Sequence, residues 1–259
     1  MKKTIIKVTA VLFLTTLTSC GIDMLNRVEG NNNVTSIKRD ISTDFTKVRV
    51  STGIELFIQQ GSKISLTVEA DENLHDIIIT EVVDGKLKIY TEKNIWKSAA
   101  KKVYLTVNTI EELTASSGSI VVSESVLKAT NLDVSSSSGA NLTIEVAATN
   151  LISSTSSGSS SQIEANTTSV ISTSSSGSSL NLSGETTSHE TSASSGSSIT
   201  AYKLISKDVI AKVSSGASIS VYASSSIDGK ASSGGGISFE GNPEKVTKNT
   251  SSGGRVSPK

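Results

Sequence analysis

Aromatic residues make up only 3% of this 259-residue chain, and cysteine occurs once. Any core is therefore built from Val, Ile, Leu and small residues, with no internal disulfide to staple it. The two histidines and the single cysteine fall in unrelated segments, so no zinc-ligand spacing is present. No arginine occurs between residues 50 and 254, and the formal net charge is zero. A neutral chain does not neutralise phosphates in bulk, which excludes nucleic acid as a partner. Nothing calls for a cofactor. Hydrophobic residues still reach 36%, enough for one sizeable core or two small ones.

What is present begins with MKKTIIKVTAVLFLTTLTSC. Lys2 and Lys3 supply a positive start, and an apolar run follows through Leu17. The run is shorter than the ~20 residues a spanning helix needs. Residues 1–19 therefore read as a signal peptide. Its end, Leu17-Thr18-Ser19-Cys20, resembles a lipoprotein processing box and makes Cys20 the candidate lipid-attachment residue. The plainer alternative is an ordinary signal peptide that happens to contain a cysteine. Acyl chains contribute ~0.8 kcal/mol per buried CH₂, so two or three of them hold a protein on a membrane. Residues 20–39, polar and containing Asn31-Asn32-Asn33, read as a tether.

Roughly a fifth of the chain is serine, a bias that ordinarily predicts disorder. Here the serines keep a period. Ser-Ser-Gly recurs with Gly at 118, 139, 158, 177, 196, 216, 234 and 253, at intervals of 21, 19, 19, 19, 20, 18 and 19 residues. Self-similarity near 20 residues marks a solenoid. Three residues after these glycines stand Val121, Leu142, Ser161, Leu180, Ile199, Ile219, Ile237 and Val256. Five after stand Ser123, Ile144, Ile163, Leu182, Ala201, Val221 and Phe239. Between the two columns, Thr143, Gln162, Asn181 and Thr200 are polar, which is the in–out–in alternation of a strand. A further column, seven before each Gly from Gly139 onward, reads Leu132, Leu151, Val170, His189, Val209, Ile227 and Val246. The prediction is an all-β, single-stranded β-helix, or β-solenoid, with coils of about 19 residues stacked ~4.8 Å apart. Gly supplies positive φ at the corners, and stacked Ser hydroxyls bond to backbone or to one another.

Residues 40–115 are richer and more charged, and are expected to form irregular N-terminal β-coils ahead of the Ser-Ser-Gly solenoid of 116–259. Ser51-Thr52-Gly53 reads as a degenerate corner, and Asp84-Gly85 as a tight turn. A separate capping domain is the alternative. The text F-x-x-V-x-V-x-x-G-I-x-L-x-I from Phe45, then Gln60-Gly61, VEADENL at 68–74 and TEVVDGKLKI at 80–89, resembles the head GIN domain family of auto-transporter adhesins, in its lipoprotein form. The family name suggests Gly-Ile-Asn where this chain has Gly53-Ile54-Glu55. The resemblance implies a right-handed β-helix and an adhesin-like role, and carries no catalytic residues.

The column six after each Gly is expected to face solvent. It holds Glu124, Glu145 and Glu164, a possible oxygen-ligand stack for a cation such as Ca²⁺. Further along it holds Tyr202 and Tyr222, which as stacked neighbours could offer ring faces to a glycan. The plain alternative is a solvated face in which Tyr simply favours strands. His189 is expected to be a hydrogen-bonded interior residue or the sign of a slipped register, and His75 to be exposed. A polysaccharide-degrading β-helix enzyme is the rival class. Hydrolases need paired carboxylates on one face, and these uniform coils show no long inserted loop that builds a cleft. The expected protein is a non-enzymatic lipoprotein of the cell envelope, anchored at the outer membrane of a Gram-negative bacterium, with a glycan or other surface ligand. A periplasmic scaffold without ligand is the third possibility.

Overall fold

Each Ser-Ser-Gly forms a corner in which two successive residues take left-handed backbone angles. In the computed structural model, which describes residues 27–259, φ is +54° at Ser176 and +69° at Gly177. The pair recurs from Ser117-Gly118 to Ser252-Gly253, and Thr52-Gly53 adopts it too. Positive φ at Gly is the expected use of that residue; that the preceding Ser shares it is a structural finding. Bonds between coils hold the corner. Gly158 N–H donates to the Ser176 carbonyl at 3.1 Å, and the same bond recurs along the stack, from Gly53 on Ser117 to Gly234 on Ser252. The serine after the Gly is buried. Ser178 Oγ lies 2.7 Å from the Ser175 carbonyl of its own corner and 2.8 Å from the Thr155 carbonyl of the preceding coil. Ser159 and Ser197 repeat this arrangement.

Between corners the chain is extended. The N-terminal strands are β1 (Arg27–Glu29), β2 (Val34–Arg39), β3 (Lys47–Val50), β4 (Glu55–Gln60), β5 (Ser65–Asp71), β6 (Ile78–Val83), β7 (Lys86–Thr91), β8 (Asn94–Lys97) and β9 (Lys101–Val107). The repeats supply β10 (Glu112–Ala115), β11 (Ile120–Ser123), β12 (Leu127–Ser136), β13 (Asn141–Thr155), β14 (Ser160–Ser174), β15 (Ser179–Ala193), β16 (Ser198–Val213), β17 (Ser218–Ala231), β18 (Gly236–Glu240), β19 (Lys245–Thr250) and β20 (Arg255–Pro258). From β10 onward each strand pairs in parallel with its counterpart one coil away. This brings Leu132, Leu151, Val170, His189, Val209 and Ile227 into one ladder. The expected inward columns are buried, with Ser161 fitting into the first of them through its hydroxyl. Val246 departs from its column: it is 42% exposed, and among the described residues β19 pairs on one side only, with β17. Ser123 is only half-buried.

The N-terminal layers break chain order. β3 and β4 stack on β10 and β11 to one side and on β7 and β9 to the other. The coil 86–107 thus lies beneath the coil 47–60 that precedes it in sequence. Beyond it, β5 and β6 run antiparallel to β9 and β7, and β2 runs antiparallel to β5. This antiparallel layer closes the open edge of the solenoid. One apolar core continues from Phe45 to Val256 without a break at residue 115.

Two expectations need correction. Residues 27–39 of the segment read as a tether are not one, since β1 pairs with β8 and β2 with β5; residues 1–26, with the signal peptide and Cys20, lie outside the described residues. His75 is buried, not exposed. Its Nε2 lies 3.0 Å from Thr35 Oγ1, and Arg39 donates to its carbonyl at 2.6 Å. The second error follows from the first, because β2 is what covers His75.

Candidate outward-face site

Residues four after each Gly form one outward ladder. Thr143, Gln162, Asn181, Thr200, Ser220 and Ser238 pair coil to coil, so hydroxyl and amide groups stand ~4.8 Å apart. Towards the N-terminus the ladder continues through Val122 to Phe57 and Tyr104. The rings of Phe57 and Tyr104 stack with centroids 5.2 Å apart. This aromatic pair was not anticipated. Phe57 is legible as the residue four after Gly53, but Tyr104 reaches it only through the out-of-order stacking.

The structure divides the proposed acidic stack. Glu145 and Glu164 are register partners and both are exposed. Glu124 lies past the end of β11, and the Glu145 backbone N–H bonds to Ser123 Oγ at 2.9 Å. Among the described residues no three His, Cys, Asp or Glu side chains are arranged to hold a metal ion. The register thus sets Glu145 beside Glu164 and leaves Glu124 outside the paired residues.

The tyrosines are also separated. A bulge interrupts the register of β16, so that Ser183 pairs with Lys203, and Tyr222 pairs with Ile205. The extra residue is visible in sequence as the 20-residue interval from Gly196 to Gly216. Tyr222 lies beside Glu240 on its other side. Tyr202 instead reaches across coils. Its Oη is 2.5 Å from Ser238 Oγ, and the Lys259 ammonium sits 4.1 Å from its ring centroid. Lys259 Nζ also donates to Glu240 at 2.8 Å, and that hydrogen bond holds its pKa above the ordinary lysine value. Around this cluster runs a groove of about 560 Å³ lined by Gln162, Asn181, Leu182, Ser183, Thr200, Tyr202, Lys203, Glu240 and Lys259. It offers hydrogen-bond donors and acceptors on a fixed ladder, one aromatic ring, and charges of both signs.

His189 takes no part in it. Its register is intact and it is buried in the core column. Nε2 is 2.9 Å from Ser172 Oγ, which donates in turn to Thr191 at 2.8 Å. Burial lowers the imidazole pKa to about 4, so it is neutral at pH 7. Ser172 and His189 are both closed to solvent, so the pair cannot act on a substrate as nucleophile and base.

Over residues 44–170 and 155–243 the chain matches the family described as "Putative auto-transporter adhesin, head GIN domain". The chain belongs to that family. No curated protein matches it. Among solved structures, this head GIN domain protein is similar to one titled a putative lipid binding protein from Parabacteroides distasonis, at 20% identity, covering 90% of this chain and 99% of that chain with a TM-score of 0.84. A putative adhesin from Parabacteroides merdae matches at 19% identity over 90% and 99% of the two chains, with a TM-score of 0.83. Another from Parabacteroides distasonis matches at 18% over 90% and 100%, with a TM-score of 0.85. At these identities the likeness shows the fold alone. These relatives are named as adhesins and as a lipid-binding protein.

Proposed function

We propose that this head GIN domain protein is a non-enzymatic lipoprotein, anchored through Cys20 to the outer membrane of a Gram-negative bacterium, whose outward polar face attaches to a glycan. The observation that carries this reading is the groove at Tyr202. A rigid ladder of amide and hydroxyl groups meets an aromatic ring there, and oriented polar groups beside a ring are what sugar hydroxyls and C–H faces can use. The coil-to-coil hydrogen bonds pre-order the ladder, so little ordering entropy opposes binding. Support for the anchor comes from Leu17-Thr18-Ser19-Cys20 behind the basic start of the chain. The adhesin names of the structural relatives accord with a surface role.

The test is fractionation of cells expressing the full chain, followed by protease treatment of intact cells. The wild type partitions into detergent and is cleaved from outside, whereas Cys20→Ala does not partition. Equal partitioning of the two removes the anchor. Protection from protease in intact cells removes surface display and favours a periplasmic scaffold.

A further inference from the structure

The chain has one tryptophan, and it lies at the surface: Trp96 is 59% exposed. It sits on β8, in an excursion of residues 92–100 that joins β7 to β9 where the regular coils have a tight corner. β8 pairs with β1 and with no strand of the main sheet. The excursion is firmly held. Gly30 N–H donates to the Lys97 carbonyl at 2.8 Å. The buried Asp71 carboxylate accepts the backbone N–H groups of Asn32, Ala99 and Ala100 at 2.9–3.0 Å. One side chain therefore pins both the β1–β2 turn and the end of the excursion. The Arg27 guanidinium lies over the indole, 4.1 Å from its centroid.

The same end of the solenoid exposes further apolar residues. The outermost strand β2 presents Val34 and Ile37 to solvent, and β6 in the next layer presents Val83. β1 and the segment 92–97 carry three cations, Arg27, Lys93 and Lys97, and two carboxylates, Glu29 and Glu92.

We infer that this end, with Trp96 as its contact side chain, is the footing by which the protein rests on an anionic phospholipid surface; the inference rests on the reading of Cys20 as lipid-bearing. Chain length is the decisive constraint. Seven residue steps separate Cys20 from Arg27, and at ~3.6 Å each they span no more than ~25 Å whatever their path. Arg27 itself touches Trp96. A lipid on Cys20 therefore keeps the indole close to the bilayer. Tryptophan suits the headgroup level, with an apolar ring and an N–H that stays wet. Lys93 and Lys97, exposed on the same segment as Trp96, supply cationic groups that anionic headgroups attract.

Trp96 is its own reporter, since no other tryptophan contributes to the emission. The mature chain, purified in detergent from cells that express the full chain and reconstituted with vesicles of phosphatidylglycerol and phosphatidylethanolamine, is followed by flotation, by Trp96 emission and by quenching with a lipid spin-labelled at the headgroup. The expected result is co-flotation, a blue shift and quenching. Lys93→Glu with Lys97→Glu, both at exposed positions, reduces the quenching while the chain still floats. Co-flotation with unshifted, unquenched Trp96 leaves the anchor standing and overturns the footing. If the chain does not float, the Cys20 reading fails, and Trp96 quenching on simple addition of the vesicles upholds the footing while its absence overturns it. A blue shift that depends on protein concentration and resists the spin label marks contact with a second copy, which also overturns it.

Discussion

His189 Nε2 lies 2.9 Å from Ser172 Oγ, inside a column whose other buried members are Leu, Val and Ile. The hydroxyl lets a neutral imidazole sit where an aliphatic side chain is otherwise used. A protonated one is opposed by burial, which lowers its pKa to about 4. In the unfolded chain an imidazole titrates near 6.5, so between these values the unfolded state binds more protons. The contribution to stability is complete above pH ~6.5 and shrinks as pH falls towards 4, by up to ~3 kcal/mol at 1.36 kcal/mol per unit. Urea unfolding at pH 7.5 and pH 5 measures this. The wild type loses more stability than His189→Val, whose neighbours Val170 and Val209 already show that Val fits the column.

The corner glycine Gly177 and Gly184, inside β15, differ in what a side chain would meet. At Gly177, φ is +69° and nothing lies within 4 Å of an added Cβ. Gly177→Ala therefore costs only the backbone preference, roughly 1–2 kcal/mol. At Gly184, φ is +105° and the added Cβ would fall 2.1 Å from the Ala165 carbonyl oxygen. Gly184→Ala is expected to cost clearly more than Gly177→Ala. Thermal melts of the two variants, side by side, decide this.

Asp71 is the pin of the N-terminal end. Burial pushes its pKa up, but the backbone N–H donors of Ala100, Asn32 and Ala99 outweigh that and leave it below the ordinary value. Its contribution is therefore present above pH ~4 and is lost as pH falls below the ordinary aspartate value. Asp71→Ala leaves three backbone donors without their partner and is expected to cost roughly 2–4 kcal/mol. Asp71→Asn keeps one acceptor oxygen and costs less. Hydrogen exchange at Ala99 and Ala100 rises in both variants, while exchange in the coils from β13 to β16 does not.

The corners and inward columns were legible because stacking equivalent coils repeats every environment at the sequence period. Leu151, Val170 and Val209 read as one column from the sequence alone. The N-terminal layers were not legible in that way. An antiparallel strand such as β5 alternates with the same period of two as a parallel one, so Leu66 and Val68 gave no sign of direction. Nor did sequence order reveal that β7 and β9 stack beneath β3 and β4. At the outward face, the 20-residue interval betrayed an extra residue, but not that its bulge falls at Tyr202 and parts it from Tyr222. Polarity misled at residues 27–39, where β2 is an outer strand with most of its side chains in solvent.

Glu145 and Glu164 stand side by side as like charges on neighbouring strands. Such pairs destabilise a sheet, so Glu145→Gln is expected to raise stability by roughly 0.2–1 kcal/mol. Millimolar Ca²⁺ leaves the melting temperature of the wild type unchanged, because Glu124 does not complete a ligand set. A calcium-dependent rise that Glu145→Gln abolishes would restore the cation site.

Glycan attachment at the Tyr202 groove is most directly tested by binding to a glycan array, followed by titration of the retained sugars against Tyr202→Ala and Tyr104→Ala. The account predicts that at least one glycan is retained by the wild type. Tyr202→Ala should weaken it roughly tenfold or more, equivalent to ~1.4 kcal/mol, with Tyr104→Ala unchanged and both variants folded. Retention of no glycan, or binding that survives Tyr202→Ala at full strength, would contradict it.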